Sequence, residues 1–138
     1  MVQRRESGLE LRLAAVEPPA LAYEAAGARP HARLSAEPVG KAGLGAWVDR
    51  SLLEQAQDLV AARLLHQAPS RVAGREGVHT VTHHLADGRL SVTLEQWWLL
   101  LAGKGIVLSV SLPTLDVAVQ APVVALLAGG LDLEGAPA

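Results

Sequence analysis

Two hydrophobic periods divide the chain. From Leu44 the apolar residues Leu44, Trp47, Val48, Leu52, Leu59 and Val60 recur at helical spacing, with Asp49, Arg50, Glu54 and Asp58 mostly on the other side. This predicts an amphipathic helix running to about Arg63, preceded by the Gly-rich VGKAGLG and followed by the punctuation APS. Before it, LAYEA and HARLSAE read as short strands around the turn AGARP.

After the helix the period becomes two. RVAG is a short strand, REG a turn, and VHTVTHHL is rich in β-branched residues and ends at Asp87-Gly88, a dipeptide favoured in type I′ hairpin turns. A two-residue loop there pairs Ala86 with Arg89, and sets Leu85 opposite Leu90, His83 opposite Val92, Val81 opposite Leu94 and His79 opposite Gln96. In RLSVTLEQWWLLLAG the first half alternates and the second is apolar on both faces, so Trp97 and Trp98 point opposite ways and both faces need cover. Such a strand is central in a sheet flanked by helices. A three-residue loop at GKG then sets Leu100 opposite Leu108 and Trp98 opposite Val110. The expected meander comprises strands at about 78–86, 89–102 and 105–112, with Trp98 in the main core. Trp97, Leu99 and Leu101 fall on the second face beside Val107, Ser109 and Ser111. Pro122 suits the first position of a short helix through about Ala128, closed by Gly129 and Gly130.

Composition narrows the range. A chain of 138 residues makes one domain, able to bury about 68–70% of its unfolded surface. Residues 1–8 and 132–138 read as flexible tails. With no Phe, one Tyr and three Trp, the core must be Leu, Val and Ala around a few indoles. A net charge of −2 with scattered Arg offers no basic stripe for nucleic acid or a membrane surface. The absence of Cys removes disulfides, thiolate zinc sites and a Cys nucleophile. The start has no apolar signal segment, and LDVAVQAPVVALLAGGL is interrupted by Asp116, Gln120 and Pro122, short of the roughly 20 residues that span a bilayer. Membrane insertion is therefore not expected, and the location read from the sequence is cytoplasmic.

The histidines of GVHTVTHHL raise the question of a metal. On a strand His83 and His84 point to opposite faces, and His79 and His83 lie about 13 Å apart at about 3.3 Å per residue. No pair of them can ligate one zinc, and a metal would need distant partners such as His31 or His66. No metal and no cofactor are expected. GLGAWV lacks the third Gly of a dinucleotide loop, AGKGIV lacks the spacing and Ser/Thr of a phosphate loop, and there is no G-x-S-x-G elbow. Glu54 and Asp58 are carboxylates four residues apart that read as a solvated helix face. An enzyme would need a pocket in which two or more of His79, His83, Glu95 and His66 converge with perturbed protonation.

The order of elements from LGAWVDRSLLEQ through VAGREG and the two long hairpin strands to APVVALLAGGL resembles the DcrB-like/PsbP-like group over about residues 20–131. That group includes bacterial proteins of unknown function, the photosystem accessory protein PsbP and a Ran-binding nuclear import factor. The resemblance implies an α+β fold, an α/β/α sandwich with a central antiparallel sheet, in agreement with the two-sided strand. It supplies no shared catalytic residues; most characterised members act by binding proteins, and some relatives are chaperone-adaptors that shield hydrophobic helices of secreted effectors. Many bacterial relatives carry a signal peptide or lipid anchor; neither is expected here, which favours a cytoplasmic role over that of a lipoprotein.

The functional expectation is a non-enzymatic cytoplasmic protein-binding adaptor, with an apolar helix of a client as one form of partner and a homodimer left open. Its candidate surface is the second sheet face, Trp97, Leu99 and Leu101 with the small Ser109 and Ser111 forming a trough, if the chain's own helices leave it partly open; the first expectation for that face is cover by the helix from Leu44 or the C-terminal one. The alternative is a small-molecule-binding protein or enzyme with a site around His79, His83 and Glu95.

Overall fold

The computed structural model describes residues 2–6, 9–13, 31–87 and 89–134. The LAYEA segment lies outside them. Five antiparallel strands form the main sheet, in the order β3-β7-β6-β5-β4: β3 His31–Pro38, β4 Val60–Val72, β5 Arg75–Ala86, β6 Leu90–Leu101 and β7 Lys104–Pro113. Helix α1, Leu44–Asp58, covers one face, and α2, Val117–Gly129, covers the other after a 3-10 turn at Thr114–Asp116. The fold is α+β, an α/β/α sandwich around a central antiparallel sheet, and the expected meander is its middle.

A second sheet of three strands was not foreseen. It joins β1 Val2–Glu6, β2 Leu9–Leu13 and β8 Leu131–Glu134 in the order β1-β2-β8. Residues 2–6 and 132–134, read as parts of flexible tails, thus lie in strands. Leu9, Leu11 and Leu13 alternate with Glu10 and Arg12, a strand period that becomes a sheet only through its neighbours.

Two helix boundaries also differ. Helix α1 stops at Asp58, because Leu59 is extended and Val60–Val72 pairs with β5 along its whole length. No Gly or Pro stops this helix-compatible run; the ladder overrides propensity. Register shifts near Val60/Arg63 and Leu64/His66 accommodate it, with Ala61 at φ 54. Pro69 is tolerated because β4 is an edge strand. Helix α2 begins at Val117, so Pro122 sits inside it rather than at its start.

Both expected hairpin registers are off by residues that matter. β5 and β6 are joined through residues 87–89, pairing Ala86 with Leu90, His83 with Thr93 and His79 with Trp97; the Arg89 amide donates to the Ala86 carbonyl at 3.1 Å. β6 and β7 are joined by only Ala102-Gly103, which sets Trp97 opposite Leu108 and Trp98 opposite Val107. One face therefore holds Trp97, Leu99 and Leu101 with Ile106, Leu108 and Val110, packed under Val124 and Leu127 of α2. Trp98 leaves this main core for the smaller cluster with Trp47, Val48 and Val39 beneath α1. Trp47 and Trp98 meet edge-on, their ring centroids 5.3 Å apart at 80°. Gly105 makes room, since a Cβ there would collide with the Trp47 ring.

Candidate functional site

Helix α1 does not cover its whole sheet face. Trp47 and Val48 anchor it over Trp98, and side-chain bonds fix its tilt: Gln67 Nε2 donates to Asp49 Oδ1 at 3.0 Å on the β4 side, and Gln55 Nε2 donates to Gln96 Oε1 at 3.1 Å in the middle. Between α1 and edge strand β3 an open cleft of about 620 Å³ remains. One wall is the α1 flank Ser51, Glu54, Gln55 and Asp58; the other is the outward row His31, Arg33, Ser35 and Glu37 of β3; Leu94, Gln96, Trp98, Val107 and Ser109 make the floor. The six-residue separation of His31 and Glu37 makes the cleft about 20 Å long at 3.3 Å per residue.

The floor is ordered by a buried amide. Gln96, 4% exposed, accepts from Gln55 and donates from Nε2 to Ser109 Oγ at 3.0 Å. At one end the Trp47 indole donates to Glu37 Oε1 at 2.8 Å, which holds that carboxylate against the helix. Across the cleft the carboxylates of Glu54 and Asp58, one turn apart, face a wall that carries the Arg33 guanidinium. The cleft is thus a trough with an acidic bank on α1, a mixed bank of Arg33 and Glu37 on β3, and a floor of apolar and amide groups.

The expected surface divides between the two faces. Trp97, Leu99 and Leu101 are 9%, 0% and 4% exposed and are main core under α2, so they form no open strip. Ser109 and Ser111 lie on the opposite face, paired with Arg33 and His31 of β3. Ser109 lines the cleft; Ser111 is buried. The cause is the two-residue Ala102-Gly103 loop, which pairs odd-numbered β6 residues with even-numbered β7 residues.

No family model and no curated protein matches this chain. Its fold is shared. Among the solved structures that match is the crystal structure of PA94, a protein of unknown function from Pseudomonas aeruginosa, with a TM-score of 0.63 and 16% sequence identity over 87% of this chain and 78% of that one. A likeness at that identity is one of fold.

The alternative residues come together in part. His79 Nε2 lies 2.8 Å from Glu95 Oε1, its ring stacks on Trp97 with centroids 4.9 Å apart, and the His66 ring centroid is 5.1 Å away. His83 instead bonds Ser91 Oγ at 2.5 Å, and Ser91 donates to Thr114 at 2.7 Å. None of His66, His79, His83 and Glu95 lines the cleft, which opens on the other face. Among the described residues no group of three or more His, Cys, Asp or Glu is placed to hold a metal ion. No described helix is long and apolar enough to cross a membrane.

Arg33, Gln55 and Gln96 were missed by sequence reasoning, though part of the signal was there. His31, Arg33, Ser35 and Glu37 alternate in HARLSAE with Ala32, Leu34 and Ala36, which marks one polar strand face; Gln96 is the single amide before an apolar run.

Proposed function

We propose that this protein is a non-enzymatic protein-binding adaptor that receives a segment of its partner along the cleft between α1 and β3. The observation that carries this reading is the uncovered stretch of sheet itself, about 20 Å long, with apolar floor groups between polar banks. A helix with an apolar underside has a width of about 10–12 Å and uses such grooves. The banks favour a client whose flank toward Glu54 and Asp58 is basic and whose flank toward Arg33 is acidic. The cytoplasmic adaptor role and the DcrB-like/PsbP-like relationship belong to the same proposal, for which the element order speaks.

The test is site-specific photo-crosslinking in cells of the native host from position 35, which lines the cleft, with and without the cleft-filling substitution Ser109→Trp. One discrete protein adduct, lost in the Ser109→Trp background while the fold is retained, is expected. No adduct, or one indifferent to Ser109→Trp, overturns the reading.

A further inference from the structure

Helix α2 is built inside out for a surface helix. Its sequence, VAVQAPVVALLAG, holds one polar side chain, Gln120, and that one is 9% exposed and faces inward with Val124 and Leu127. The outward positions are Ala118, Val119, Ala121, Pro122, Ala125 and Leu126, all exposed and all apolar. Val119 is 75% exposed and Leu126 63%, and Leu115 on the preceding turn is 93% exposed.

The face has relief as well as composition. At 3.6 residues per turn Val119, Pro122 and Leu126 fall on one side of it and form a ridge, while Ala118, Ala121 and Ala125 fall beside them and form a trough. We propose that a second copy of this chain docks here, two α2 helices lying antiparallel about a twofold axis with the ridge of each in the trough of the other. A twofold contact needs a surface complementary to itself, and a ridge next to a trough of equal length is one. Charge points the same way: there is no ionisable residue from Val117 to Leu131, so like meets like without repulsion and a charged partner would find nothing to pair with. An anionic lipid surface is disfavoured, because interfacial helices carry Lys or Arg on their polar side and the one charge adjoining this helix is Asp116. This surface lies on the opposite side of the sheet from the α1 cleft, so the two proposals stand or fall separately.

The full chain should sediment as a dimer at micromolar concentration. Val119→Asp combined with Leu126→Asp should weaken association by about 100-fold or more, since each places a charge in an apolar contact, and leave far-UV circular dichroism unchanged. Because the native chain has no Cys, Pro122→Cys gives a clean second readout: near the twofold it should form an intermolecular disulfide under mild oxidation. A native chain that stays monomeric at high micromolar concentration overturns the proposal. So does a double-Asp variant that loses stability at unchanged mass, which would mean that the face is packed within the same chain. Vesicle binding by a monomer would assign the face to lipid instead.

Discussion

Trp98 is the side chain whose loss should reveal most about the sheet. It is 3% exposed, its indole N–H donates to Thr80 Oγ1 at 2.9 Å, and its ring takes the edge-on contact with Trp47. Truncating a buried Trp to Ala costs about 3–5 kcal/mol. Thr80 is fully buried, so its hydroxyl would lose its partner, at about 1–3 kcal/mol for a stranded buried group. These overlap in any measured truncation, and the expectation for Trp98→Ala is the upper end, about 4–5 kcal/mol, about a quarter or more of a typical domain's 5–15 kcal/mol. Trp98→Phe keeps a ring against Trp47 but not the donor, and should cost about 1–2 kcal/mol. Urea unfolding followed by far-UV circular dichroism suits the comparison, because fluorescence would change with the indole itself. A double-mutant cycle with Trp47→Ala should give a coupling of about 0.5–1.5 kcal/mol, the usual value for an aromatic pair. A Trp98→Ala protein within about 1 kcal/mol of the parent would refute the packing described for the α1 side.

Two further outcomes follow from the same architecture. Leu99→Asp should unfold the protein outright, because Leu99 is completely buried under α2; a folded Leu99→Asp variant that merely lost a partner would return the binding surface to that face. Excess zinc or nickel should leave the melting temperature where it is, because no described group is arranged to hold a metal and only binding to the folded state raises it; a rise of several degrees, abolished by His79→Ala, would contradict the geometry.

The elements were far easier to read than their pairing. The amphipathic run from Leu44, the polar and apolar alternation of His31–Pro38 and the two-sided apolar run Trp97–Leu101 each state their environment locally, and the helices do cover both faces of β6. Strand β4 was hidden because Val60–Leu65 is acceptable to a helix and becomes a strand only through its ladder with β5. The second sheet was hidden for a similar reason: its strands come from opposite ends of the chain, and the short alternation of LELRL says nothing of the partner it pairs with. The cleft draws on β3, α1, β6 and β7, and its walls converge only when the sheet order is known.

A single residue of loop length decided which side chains share the functional face. Side chains on a strand alternate, so moving a register by one exchanges the faces. Both two-residue hairpin loops here are Ala-Gly, Ala73-Gly74 at φ 51 and 75 and Ala102-Gly103 at φ 51 and 77, while the Asp-Gly sequence that favours such turns lies within the longer loop 87–89. Positive φ at Ala is costly, so each Ala-Gly turn is imposed by the strands it joins. For β6 and β7 the driving term is visible: with Leu101 paired to Lys104, Ile106, Leu108 and Val110 join Trp97 and Leu99 under α2, and Ser109 and Ser111 go to the α1 side. The three-residue loop expected from GKG would have put Trp98 with Leu108 and Val110, splitting the largest fully buried aliphatics from α2. Burial of the main core thus chose the loop, and in doing so it placed Ser109 next to Arg33 and Gln96, where the floor of the cleft could be polar.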